Sequence, residues 1–192
     1  MDMQGSRTLP VSQQQAWDAL NDPDVLKTCI PGCEKFELTE ANTYAVTTAV
    51  KIGPVSARFN GRVLLSDIQP PESYKIGFDA QGGVAGFGKG ESAVRLTPAD
   101  TGCELNYTVH ATVGGKVAQL GQRLIDGAAK SLAEDFFRRF EEELLRRHPP
   151  ATGADTAPPP PQQTSGGGGM PAWVWGAIAA AVALGIYLAM RS

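Results

Sequence analysis

The chain has 192 residues, of which 42% are hydrophobic and 19% charged, with 17 basic against 20 acidic side chains and a net charge of −3. A single folded domain of ~100–200 residues accounts for most of that length, and the apolar share excludes wholesale disorder. The slight acidity lacks the basic excess of a nucleic-acid binder, and three cysteines are too few for a disulfide scaffold.

Residues 3–9 suit a first strand. Ser12 then stands as a helix N-cap with Gln15 three positions on, Ala16, Trp17 and Leu20 form the apolar face, and Asn21-Asp22-Pro23 stops the helix. A second short helix fits 24–28, ahead of Pro31-Gly32. The remainder of the domain reads as six strands and one long helix. Alternation of period two is clear where Tyr44, Val46, Thr48, Val50 and Ile52 oppose Ala45, Thr47, Ala49 and Lys51. After the Gly53-Pro54 turn, Ala57, Phe59, Gly61, Val63 and Leu65 share one face, and after Pro70-Pro71 so do Tyr74, Ile76, Phe78 and Ala80. Past a loop at 82–86 come Gly88, Gly90, Ser92, Val94 and Leu96, then, beyond Asp100-Thr101-Gly102, Cys103, Leu105, Tyr107, Val109, Ala111 and Val113. Strands joined by such short turns are most simply antiparallel.

A helix is predicted over 116–147, with Val117, Leu120, Leu124, Ala128, Leu132, Phe136, Phe140 and Leu144 recurring at three or four on its apolar face and Pro149 ending it. One long helix across a curved antiparallel sheet is an α+β arrangement. The facing surfaces carry small residues: Ala57, Gly61, Ala80, Gly88, Gly90 and Ser92 on the sheet, and Gly121, Ala128 and Ala129 on the helix. Since interiors do not tolerate voids cheaply, this pattern means either close approach of helix and sheet or an enclosed apolar cavity.

Residues 149–171 form a linker rich in proline (158–161) and glycine (166–169), with a reach between ~25 Å as a coil and ~70 Å extended. From Ala172 to Met190 no residue is charged. Nineteen residues at ~1.5 Å rise span about 28 Å of a hydrocarbon core ~30 Å thick. Trp173 and Trp175 lie at one edge of the run and Tyr187 near the other, where amphipathic rings favour the headgroup layer. The expectation is a membrane anchor at 172–190. Residues 1–11 carry Asp2 and Arg7 and no apolar leader, so the domain at 1–148 is expected on the cytoplasmic face of the membrane, a placement that suits free thiols.

Several stretches carry a family resemblance: Trp17-Asp18-Ala19-Leu20-Asn21-Asp22-Pro23, Cys29-Ile30-Pro31-Gly32-Cys33, Val50-Lys51-Ile52-Gly53-Pro54-Val55, Phe59-Asn60-Gly61, and 113–121 (Val-Gly-Gly-Lys-Val-Ala-Gln-Leu-Gly). In their order and spacing, residues 1–147 resemble the CoxG family of carbon monoxide dehydrogenase subunits, within the helix-grip superfamily of START and Bet v 1-like (SRPBCC) proteins. The resemblance implies a helix-grip fold with a hydrophobic cavity, no cofactor chemistry of its own, and association with a molybdenum hydroxylase of the carbon monoxide dehydrogenase type. With the cavity so implied, Phe59, Phe78, Tyr107, Leu120 and Leu124 are expected to line it, Gly61 and Gly90 to supply space, and Phe87 to close its lip.

The other residues offer little chemistry. Cys29 and Cys33 flank a Pro-Gly turn without the further ligands of a zinc or iron–sulfur site, and they read as structural. His110 alternates outward, and two histidines make no Ser–His–Asp set. The glycines at 82–90 join strands rather than opening a helix, unlike a dinucleotide or phosphate loop. The expectation is therefore not an enzyme, with no catalytic or metal-binding residue. Instead it is a membrane-tethered protein that binds an apolar ligand (a respiratory quinone, ubiquinone or menaquinone) and recruits the hydroxylase to the bilayer. The rival readings are a ligand-independent anchoring or assembly factor and a general lipid-binding protein.

Overall fold

In the computed structural model, residues 1–149 are described. β1 (Asp2–Leu9) leads into α1 (Gln13–Leu20) and α2 (Pro23–Cys29). Ser12 closes a full capping box: its Oγ accepts from the Gln15 N–H at 3.3 Å, and Gln15 Oε1 accepts from the Ser12 N–H at 3.0 Å. Asp22 caps α2 by accepting from the Asp24 N–H at 2.9 Å, with Pro23 at the first helical position, where its missing N–H costs nothing.

Six strands follow: β2 (Cys33–Glu40), β3 (Thr43–Ile52), β4 (Val55–Gln69), β5 (Ser73–Gln81), β6 (Phe87–Ala99) and β7 (Gly102–Gly114). All pair antiparallel in the order β1-β7-β6-β5-β4-β3-β2, so β1 and β2 are the two edges. β2 is the strand that alternation marks least, because only Phe36 in it is buried. Three of the hairpin turns use left-handed backbone, at Asn42, Gly53 and Gly102.

α3 (Gln122–Arg147) lies on the concave face. It starts six residues later than predicted, because Gly121 at φ 88°, ψ 149° breaks it from a short 3-10 turn at Ala118–Leu120. Its buried side also differs from the predicted stripe. Ile125, Phe137, Phe140 and Leu144 are buried, whereas Leu124 is 51% exposed. Two apolar rows run side by side on this helix, and periodicity alone does not say which faces the sheet.

The core falls into two clusters. The larger joins Leu9, α1, α2 and the C-terminal half of α3 to Tyr74, Val94, Leu96, Cys103 and Leu105. Leu9, Leu96, Leu105, Phe140 and Leu144 are at most 2% exposed, each worth ~1.5–3 kcal/mol on burial. The smaller cluster, Ala85, Val117 and Ile125, holds Met1, Ile52, Val55, Ala57, Phe59 and Val113 at the opposite end of the sheet.

Candidate ligand site

A cavity of about 310 Å³ lies between the concave face and the helices, on the side of the larger cluster. Its floor is Val63 and Leu65 of β4, Tyr74 and Ile76 of β5, Ser92 and Val94 of β6, and Leu105, Tyr107 and Val109 of β7. Leu20, Leu26 and Ile30 from the α1–α2 wall, Met3, Phe36 and Tyr44 from β1–β3, and Ala133, Phe136 and Phe137 of α3 complete it. Aromatic pairs stiffen this wall: Trp17 meets Tyr74 edge-on at 5.4 Å, Tyr107 lies 5.3 Å from Phe137, and Phe136 stacks on Phe140 at 5.6 Å between ring centres. Ala133 is a small residue on this wall, one helical turn before Phe136 and Phe137.

Among the described residues no charged side chain lines the cavity, and its polar members are the hydroxyl-bearing residues Tyr44, Tyr74, Ser92 and Tyr107. Burial pushes the Tyr74 phenol above its ordinary pKa, so its O–H stays protonated. Such a cavity suits a neutral, largely apolar ligand with one or two hydrogen-bond acceptors. A second apolar hollow of about 290 Å³ adjoins it, sharing Ile30, Ala133 and Phe136 and adding Pro31, Thr48, Val50 and Leu132. A wider hollow of about 890 Å³ is lined by Gln4, Ser6, Lys75, Arg95, Asn106 and Thr108 among others. Its outward polar side chains make it a hydrated groove rather than an apolar site.

Of the eight expected cavity residues, Tyr107 lines this space and the other seven do not. Gly61, Phe78 and Gly90 are on the concave face but nearer the other end of the sheet, with Phe78 in register between Val63 and Gly90. Phe59 packs in the smaller cluster. Phe87 lies against Gly114, where a Cβ would come within 2.2 Å of its ring. Leu120 sits in the 3-10 turn and Leu124 faces solvent. The two glycines do not border a void: a Cβ at Gly61 would meet Asp79 O at 2.6 Å, and one at Gly90 would meet His110 O at 2.1 Å. They permit close approach of adjacent strands instead. Alternation identified the face; the depth along each strand is decided by α1 and α2, which close one end. Tyr44 was legible as an alternating position, but its partner Phe36, whose ring lies 5.1 Å away, falls in the strand that alternation marks least.

The cysteines form no disulfide, and burial pushes all three thiols up, Cys29 to about 11. None is a ready thiolate. Among the described residues no group of His, Cys, Asp and Glu is arranged to hold a metal. His110 is exposed and bonded to Asp2 at 2.6 Å on the outer face.

A curved seven-stranded antiparallel sheet gripping a C-terminal helix over an apolar cavity defines the helix-grip, Bet v 1-like fold. Residues 5–145 match the CoxG family of carbon monoxide dehydrogenase subunits, and the chain belongs to that family. A conserved protein from Geobacillus kaustophilus is 36% identical, with a TM-score of 0.72 over 76% of this chain and 96% of its own. At 15% and 16% identity, a protein from Thermus thermophilus (TM-score 0.60, 77% and 99% covered) and Ara h 8.0201 (0.55, 76% and 98%) share the fold. None of the curated proteins matches the chain.

Proposed function

We propose that this chain is a membrane-tethered accessory protein that holds a respiratory quinone in its cavity and recruits a molybdenum hydroxylase of the carbon monoxide dehydrogenase type. The observation that carries the reading is the charge-free 310 Å³ cavity with its few hydroxyls, in a chain of the CoxG family. That volume is at the small end of the range for ligand sites, roughly 300–1,000 Å³. A ring-sized head fits the cavity, and an isoprenoid tail would follow the adjoining apolar hollow. Quinone is the electron acceptor that is both apolar and confined to the membrane, which gives a tethered binder its use.

The tether in this reading is the apolar run 172–190 behind the linker 149–171, with the domain on the cytoplasmic side. The run and all of the linker past Pro149 lie outside the described residues, and among those described no helix is long and apolar enough to cross a membrane. Tethering would hold the enzyme at ~mM effective concentration near the bilayer. The test is a lipid extract of the purified full-length protein, read by mass spectrometry. Ubiquinone or menaquinone in near-stoichiometric amount is expected. Phospholipid alone would point to general lipid binding, and an empty extract to ligand-independent anchoring.

A further inference from the structure

The end of the fold opposite α1 and α2 carries a surface the cavity does not use. Three segments meet there over the smaller cluster: the β3–β4 hairpin, the β5–β6 loop, and the 3-10 turn that leads into α3. The Val117 N–H donates to Ala85 O at 3.0 Å, and a Cβ at Gly82 would come within 2.6 Å of the Phe59 ring, so these loops are packed together. Apolar side chains nevertheless stand exposed here, on the β5–β6 loop and on the first turn of α3. Val84 is 84% exposed and Leu124 is 51% exposed. Among the described residues the other exposed large apolar side chains are single positions on β2, β4 and the last turn of α3.

The charge on these three segments is basic, and Asp126, which accepts from Gln122 Nε2 at 2.7 Å, is the next acid along α3. Residues 49–59, 82–89 and 113–125 contain no Asp or Glu, in a chain whose net charge is −3. Arg58 is held by Glu34, and Lys89 lies across from Asp79 in the sheet register. Lys51, Lys116 and Arg123 have no carboxylate partner within 4 Å among the described residues. Exposed apolar side chains on segments that also carry exposed cations match the boundary of an anionic bilayer, where the cations meet headgroups and the apolar tips reach past them.

We propose that this tip is a docking surface for anionic lipid, inserting Val84 and Leu124 while Lys51, Lys116 and Arg123 contact the headgroups. α3 is ~39 Å long and the described chain leaves the fold at its far end. The linker's extended reach of ~70 Å exceeds that length, so a tethered domain can still turn its tip to the membrane. This inference rests on neither the quinone nor the hydroxylase.

The test uses the full-length chain with Cys33→Ser and an environment-sensitive fluorophore on Val84→Cys, bound to vesicles. With phosphatidylglycerol vesicles the emission should shift to the blue, as it should for a probe on Leu124→Cys. With phosphatidylcholine alone, or at 1 M salt where the Debye length is ~3 Å, the shift should be lost. The triple reversal Lys51→Glu, Lys116→Glu, Arg123→Glu should abolish it without lowering the melting temperature, since all three side chains are exposed. A probe on Leu38→Cys, at the far end of β2, should stay water-like. A water-like Val84 probe on a chain that co-floats with the vesicles overturns the docking surface and leaves the tether intact. A chain that does not float overturns both. A shift that follows protein density rather than lipid charge assigns the tip to a second copy and overturns the proposal.

Discussion

Glu143 is 11% exposed and accepts hydrogen bonds from Arg146 Nε and Arg147 Nε, each at 2.7 Å, while Arg147 Nη1 reaches Asp22 at 2.7 Å across to the α1–α2 corner. These bonds lower the Glu143 carboxyl from 4.5 to about 2. A folded pKa below the unfolded one means stability that is present above pH 4.5 and lost as the pH falls through about 2. Glu143→Gln should therefore lower the denaturation midpoint at pH 6 and make little difference near pH 2, checked by urea melts at both. At the cavity, Ala133→Phe or Ser92→Phe should fill the space and block ligand. The stability loss should be about 1–3 kcal/mol or less, because these side chains border a real void. Phe140→Ala, at a fully buried position, should instead cost ~3–5 kcal/mol. Ligand titration and thermal melts of the variants side by side separate the two cases. Filling at Gly61 or Gly90 would not, since a side chain there meets the neighbouring strand's backbone.

Elements constrain one another through their ends. Gly121 is the hinge between the 3-10 turn and α3, and its φ of 88° with ψ of 149° belongs to a region almost confined to glycine. Among the described residues, its chain neighbours apart, no atom lies within 4 Å of a Cβ built there, so the cost of Gly121→Ala is backbone strain alone. A loss of ~1–3 kcal/mol is expected, read as a lower melting temperature with the helix content of the folded state unchanged. If stability were kept, the break would not be set by the glycine. α3 also illustrates how a wide apolar stripe hides its phase. Leu124 and Ile125 are adjacent apolar residues, yet Ile125 is buried against Ala85 and Val117 while Leu124 is half exposed.

At the scale of the whole molecule, both apolar clusters are drawn from residues 1–144. A fragment ending at Pro149 should therefore stay folded and monomeric, which sedimentation and circular dichroism would check. The function proposed above makes a separate demand on the rest of the chain. Doubling a flexible linker costs only ~0.6 kcal/mol of closure entropy, so duplicating Gly166–Gly169 should leave the hydroxylase at the membrane. Deleting 172–190 should release it, and enzyme that persisted in the membrane fraction after that deletion would remove the recruitment role.

Local patterns carried most of the fold. Alternation over 44–113 identified five strands and their concave faces, Ser12 with Gln15 identified the start of α1, and the order of the short motifs resembled the family that residues 5–145 match. These signals are short-range: a period, a cap and a turn depend on residues a few positions apart. What tertiary structure decided was the place of the cavity and the rotation of α3. Tyr107 is common to the expected and the observed site, while Met3, Leu20, Leu26, Ile30 and Phe36 join it only because α1, α2 and two edge strands converge there. A void is defined by surfaces far apart in sequence, so no local pattern records its depth. For the same reason the exposure of Val84 and Leu124 at one end of the fold becomes visible only once the loops and the start of α3 are brought together.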